Sequence, residues 1–500
     1  MKRVFLVLGL SLIFAVWVGA CAGEKIDGQL NIQLTWVCDP PIEDFVAQID
    51  VYCIRVLYPG NRAPDESCSS SLEGLNLAVD ETSGLVVVEV VGLTASREPL
   101  VRGRSTPVRL VSGVPNTLTI PALPLGGFSL VAADSGQCRP LPYHAVDHTA
   151  TVFPSGHVLV TGSASPNEDP TRIAFLVDPV TGRLATLETP PALYRYQHSA
   201  TLLDDGRLVI LGGQNQLGSA PQDILMLHGA ESMMKPYDRA VDYSLVSFKE
   251  LAEGLMVSRA RHLASLFFGN QVLVNDGERT AEMFLGSREQ SGFIAVSGSD
   301  PFPISGGRIT SLVPIDDQRA LVLGGETNHN GLLTVQQNTR GLDFTSFNLP
   351  VAARDLPVGV ALGDDLAMFL GGLAGVMIGE PPVVIVDPGG PAIHEVPVDE
   401  PAFPQRGFSA SLLPDGRVFV VGGASARAQY KPGSTFLLEK QAGGDPTKWD
   451  SYPGPKLVMP RAFHTASLLP DGRLLLIGGI ASGPDATNQQ VASSAEVIAF

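Results

Sequence analysis

The chain has 500 residues, with 53 Gly and 39 Pro, and 44% of it is hydrophobic. That apolar share is too high for a disordered chain, and Gly and Pro at this density interrupt long helices, which leaves an all-β protein of more than one domain. Lys+Arg is 34 against Asp+Glu 51, a net charge of -17, so the chain repels phosphate backbones and generic nucleic-acid binding is excluded.

The first element is Met1-Lys2-Arg3 followed by an apolar run from Val4 to Val18. A spanning helix needs about 20 apolar residues, so this shorter run reads as a signal peptide over residues 1–20. It ends in Val18-Gly19-Ala20-Cys21. This resembles the bacterial lipobox: an apolar residue, two small residues, then Cys. The resemblance implies that Cys21 is diacylated, becomes the first mature residue and anchors the chain in the cell envelope. Ala22 in place of Asp implies the outer membrane. The other reading is an ordinary signal peptide with an incidental Cys. No later segment is long enough to cross a bilayer, so the lipid is the one expected membrane contact.

Four cysteines remain: Cys38, Cys53, Cys68 and Cys138. An even number in an exported chain predicts two disulfides, with free buried thiols as the alternative. Leu30, Ile32, Leu34, Trp36 and Cys38 share one face of a strand, as do Phe45, Ala47, Ile49, Val51 and Cys53. If these two strands run antiparallel through the Asp39–Asp44 turn, Cys38 lies near Phe45 and too far from Cys53 for a disulfide. The pairing expected is then Cys53–Cys68 with Cys38–Cys138.

Residues 21–124 are expected to form a small β-sandwich. Besides those two strands, 84–93, 106–113 and 116–123 alternate or run apolar between Gly, Pro and Ser turns. Immunoglobulin-like and transthyretin-like forms both remain open, and no catalytic cluster falls here.

From residue 125 to 500 the chain repeats itself. "HTATVFPSGHVLVTG", "HSATLLDDGRLVILGG", "HLASLFFGNQVLVNDG", "TSLVPIDDQRALVLGG", "PVGVALGDDLAMFLGG", "FSASLLPDGRVFVVGG" and "HTASLLPDGRLLLIGG" align, closing at Gly162, Gly212, Asp276, Gly324, Gly371, Gly422 and Gly478. In each unit one strand enters a tight turn such as Asp415-Gly416, and a second strand apolar on both faces follows. Gly-Gly then marks a place with no room for a Cβ. A third strand comes about ten residues later. Four strands per period of roughly 50 residues make a propeller blade. The last unit ends on its third strand, and Phe128–Pro142 reads as the outer strand that closes blade seven from the N-terminal side.

The motif resembles the kelch repeat, with a strand containing R-x-x-H, an acidic turn and apolar residues ending in Gly-Gly. It covers about three quarters of the chain. Arg195, Arg259, Arg354 and Arg461 fill the Arg position, three before His198, His262, Pro357 and His464. Blade one departs with Ala145 and Gly162-Ser163, blade three with Asp276-Gly277. The resemblance implies a seven-bladed kelch-type β-propeller after the sandwich.

Kelch propellers include copper oxidases resembling galactose oxidase, whose centre needs a Cys–Tyr cross-link, a further Tyr and two His. No Cys lies between Arg139 and Phe500, so neither metal nor cofactor is expected. The sialidase repeat is absent too. His148, His198, His262 and His464 are read as structural, each bonded to neighbouring backbone, and the Arg side chains as binding carbonyls between blades. Long polar loops after Gly-Gly gather on one face, and propellers bind through such loops. Glu326, Asn328, His329, Arg427, Tyr430, Asp485 and Asn488 are the candidate ligand-binding residues; no catalytic residue is assigned. The expected role is a surface-anchored lipoprotein binding a protein or a glycan. The alternative is a carbohydrate-active enzyme of the epimerase or mutarotase kind.

Overall fold

A computed structural model describes residues 30–36, 46–60, 62–72, 84–110, 116–131, 140–165, 169, 172–235, 241–252, 254–275, 281–286, 291–295, 309–324, 330–335, 342–347, 354, 357–372, 382–389, 392–398, 403–424, 434–443, 445–482 and 489–500. Residues 1–20, read as a signal peptide, and Cys21, Cys38 and Cys138 lie outside them.

The first domain has strands β1 (Leu30–Trp36), β2 (Val51–Leu57), β3 (Asp65–Ser69), β4 (Leu85–Leu93), β5 (Pro99–Arg104), β6 (Val108–Arg109) and β7 (Asn116–Pro124). They join in the order β1-β7-β5-β4-β2-β3, with β6 beside β4. β7 pairs with β1 along its length but with β5 only from Ala122 to Pro124. The sheet therefore folds over at that corner, and Ile32, Leu118 and Ile120 meet Ile54, Val56, Val86, Val88 and Val90 in one core. β1 is parallel to β7, and β2 lies between β3 and β4. The antiparallel β1–β2 hairpin is thus corrected: Ile32 of β1 faces the core as read, but β2 begins only at Val51 and turns Ile54 and Val56 inward, not the Val51–Cys53 face, and the strand partners are distant in sequence. Cys53 and Cys68 face each other across β2 and β3 and are joined by a disulfide.

Seven four-stranded antiparallel sheets follow. In five blades the second strand is enclosed along its whole length. Val158–Thr161, Leu208–Leu211, Leu366–Leu370, Val418–Ala424 and Leu474–Ile477 are buried at every position, as strands covered on both faces must be. The Asp-Gly turns put glycine where φ is positive: Gly416 has φ 86 and donates its N–H to the Leu413 carbonyl. Blade seven closes as the sequence predicts. Its inner strands Thr465–Leu468 and Leu474–Ile477 and third strand Ala495–Ile498 are completed by β8 (Ser129–Leu130), antiparallel to the third.

The first domain meets the propeller on the Asp-Gly side. Thr35 donates to the carbonyl of Val180 at 2.6 Å, and Arg102 to that of Phe500 at 2.6 Å. First strands run from the Gly-Gly side to the Asp-Gly turns and third strands run the same way. Val180, just past a third strand, and Phe500 therefore both lie on the Asp-Gly face. Glu231–Met234 and Tyr243–Leu245, between the third and fourth strands of blade two, are on this face too. Met233 accepts from the amide of Ser155, and the Tyr243 hydroxyl is 3.1 Å from His157 Nε2.

Candidate functional site

The repeat motif residues hold the ring together. His198 Nε2 lies 3.1 Å from Thr149 Oγ1 and 2.9 Å from Thr161 Oγ1; His262 Nε2 is 2.8 Å from Ser199 Oγ. His464 Nε2 is 2.7 Å from Ser409 Oγ, and His148 Nε2 is 2.9 Å from Thr465 Oγ1. Each histidine thus reaches a hydroxyl of the preceding blade, a partner the sequence did not suggest, and His148 bonds the Ala145 backbone as well. The reason is register: the residue after each repeat position is often Ser or Thr and faces the next blade. Burial holds His148 and His464 down to about 3, and His198 well below its ordinary value. These imidazoles are neutral.

The arginines are corrected in a similar way. Arg195 donates to the carbonyls of Gly212 and Asp223, both at 2.9 Å, and Arg461 to those of Gly478 and Ser494. Those carbonyls belong to the arginine's own blade. Burial lowers Arg195 to about 10. Arg259 and Arg461 also pair with Glu282 at 2.8 Å and Glu496 at 2.5 Å, with every member buried. It is the backbone at the Arg position that crosses between blades. Gly213 N–H donates to the Arg259 carbonyl, and a Cβ on Gly212 would lie 2.6 Å from that oxygen. The arginine side chains that tie blades together lie at the opposite turns, where Arg207 reaches the Gly286 carbonyl and Arg473 reaches that of Pro179 at 2.9 Å.

With the His and Arg side chains committed, the position just before each His remains. It holds Asp147, Gln197, Arg261, Gly407 and Phe463 in blades one, two, three, six and seven, and all five have positive φ, from 50 at Asp147 to 66 at Gly407. The Gln197 N–H donates to the Asp147 carbonyl at 2.9 Å, Arg261 N–H to that of Gln197 at 3.1 Å, and Phe463 N–H to that of Gly407 at 2.6 Å. Equivalent residues of neighbouring blades touch only close to the axis. Paired residues about 5 Å apart in a seven-membered ring lie roughly 6 Å from its centre. These residues therefore form a collar around the axis on the Gly-Gly face.

The collar's side chains make few bonds. Gln197 Nε2 donates to Asp147 Oδ2 at 2.9 Å, and Gln214 Nε2 to Gln197 Oε1 at 2.9 Å. Arg261 is exposed, with no side-chain partner among the described residues. The Phe463 ring lies against Gly407, where an added Cβ would be 3.1 Å from three ring carbons. A left-handed conformation is costly for Gln, Arg and Phe, and such residues gather at functional sites.

All seven loop candidates, Glu326, Asn328, His329, Arg427, Tyr430, Asp485 and Asn488, lie outside the described residues. The collar was not singled out from sequence. Its signal was there: a position that changes chemistry in every blade, inside a motif that otherwise holds its residue types.

No protein-family model and no curated protein matches the chain. Among solved structures it is similar to a fungal alcohol oxidase of the AA5 family with catalytic diversity, in complex with copper. The TM-score is 0.53 at 17% identity, covering 72% of this chain and 74% of that one. The likeness is one of fold. Copper does not fit the described residues. Copper takes converging imidazole, thiolate or phenolate donors, whereas these histidines sit one per blade with Nε2 on a hydroxyl. The described collar has neither Tyr nor Cys. Among the described residues the one trio of possible ligands is Cys53, Glu66 and Cys68, two of them joined as the disulfide.

Proposed function

We propose that this chain is an envelope lipoprotein, anchored through Cys21 and probing its surroundings with the Gly-Gly face of a kelch-type propeller, where it binds a protein or a glycan. The observation that carries this reading is the placement of the first domain. It occupies the Asp-Gly side through Thr35 and Arg102, so the collar points away from the end that Cys21 would anchor. Binding is non-covalent, by side chains and backbone on a rigid ring. A sugar-converting enzyme would need an acid and a base converging at the axis, and Asp147 is the one carboxylate among the described collar positions. Two measurements test the reading. Cys21→Ala should leave the protein unprocessed or soluble, and unchanged membrane fractionation of that variant refutes the anchor. Ligand cross-links should map to the Gly-Gly face; cross-links confined to the Asp-Gly turns refute the face.

A further inference from the structure

We propose that the arc of the collar made by Asp147, Gln197 and Arg261 binds a small zwitterion: a free amino acid, or a short peptide with both ends charged. This rests on the Gly-Gly face being the recognition face, and names what its centre takes.

Three observations carry it. The first is the order of chemistry along adjacent blades: a carboxylate, an amide and a guanidinium, linked through backbone hydrogen bonds. The second is unused bonding capacity. Asp147 accepts one bond from Gln197 through Oδ2, which leaves Oδ1 for an ammonium. Gln197 keeps one Nε2 hydrogen, Gln214 keeps its Oε1, and Arg261 keeps its guanidinium donors for a carboxylate. The third is that the fold does not need these side chains. Gly407 fills the same position in blade six at φ 66, so glycine satisfies the backbone there. Gln197 and Arg261 hold the strained conformation with side chains the ring could do without.

The chemistry also selects against other ligands. A neutral sugar leaves the Arg261 charge unmatched. A simple anion meets Asp147 and the field of a chain with net charge -17. A zwitterion carries no net charge and satisfies both ends of the arc.

The test uses the full chain. A thermal-shift screen of the free L-amino acids and a set of dipeptides at millimolar concentration should yield at least one ligand. Calorimetry should then show the N-acetylated and the carboxyl-amidated forms of that ligand binding at least tenfold more weakly. Arg261→Gly should abolish discrimination against the amide while its Tm stays equal or rises. Asp147→Asn should abolish discrimination against the acetylated form. No ligand in the screen, equal binding of the blocked forms, or full affinity in Arg261→Gly overturns the proposal. A partner cross-linked to the Gly-Gly face together with an empty screen overturns the zwitterion site and leaves the face standing. Zwitterion binding lost on Arg417→Ala, at an Asp-Gly turn, and kept in Arg261→Gly overturns both.

Discussion

The buried histidines set how the protein answers to acid. His148 and His464 are held at about 3 against an ordinary 6.5. Between those values the unfolded chain takes up protons that the folded chain refuses. Their contribution is present in full above pH 6.5 and is lost as pH falls toward 3, at up to ~1.4 kcal/mol per pH unit for each histidine. The urea midpoint should drop between pH 7 and pH 4.5, and His464→Gln should flatten that dependence. Ser409→Ala removes the hydroxyl against His464 and should cost about 1 kcal/mol. At the collar the sign reverses: Arg261→Gly relieves a left-handed residue at φ 53 without removing a side-chain bond among the described residues and should stabilise by ~1 kcal/mol. The sequence showed that the histidines are structural, because repetition dictates residue type. It hid their partners, because a hydroxyl one residue past the previous repeat position becomes a neighbour only when the blades stack.

Among elements, the loops leading into blades three and seven share one construction. Glu282 accepts the amides of Met256 and Val257 as well as the Arg259 guanidinium. Glu496 does the same for Val458, Met459 and Arg461. Removing one member of a buried pair leaves the other charge uncompensated, so Glu496→Ala should cost about 3–5 kcal/mol. Chemical denaturation checks this, and a loss below 1 kcal/mol would mean that the pair is not buried as described. Blade number, strand order and closure were all readable from sequence, since each blade repeats the same alternation and the seventh lacks a fourth strand. The pairing of β1 with β7 was not. A parallel partner lies far along the chain, and nothing local marks it, whereas a hairpin is suggested by proximity alone.

At the scale of the whole molecule, two bodies are joined on one side of a ring. Arg102 holds Phe500, Thr35 holds Val180, and Arg473 ties blade seven to Pro179 in blade one. The first domain thus bears on the two blades where the ring closes. Arg102→Ala together with Thr35→Val should lower the propeller's melting temperature as well as loosen the domain. Unchanged propeller melting in that double variant would show that the contact only tethers. Loop length in the sequence pointed to the Gly-Gly face, but not to the chemistry near its axis. Loop composition drew attention to the rim, while the residues nearest the axis sit at strand starts, one per blade.

Closure by β8 has one more consequence. Ser129 lies opposite Val497 and Leu130 opposite Glu496, although they stand at opposite ends of the propeller's chain. The order of blades is therefore cyclic, and the place where the chain starts is a matter of convenience. A propeller begun at Tyr143 lacks this strand and the buried Leu141, whose N–H donates to the Ser493 carbonyl. It should be restored by a synthetic peptide spanning residues 125–142 added from outside, or by the same segment fused after Phe500. Either form of complementation would let the ring be opened and resealed at will, with a label or a tether carried on the inserted strand.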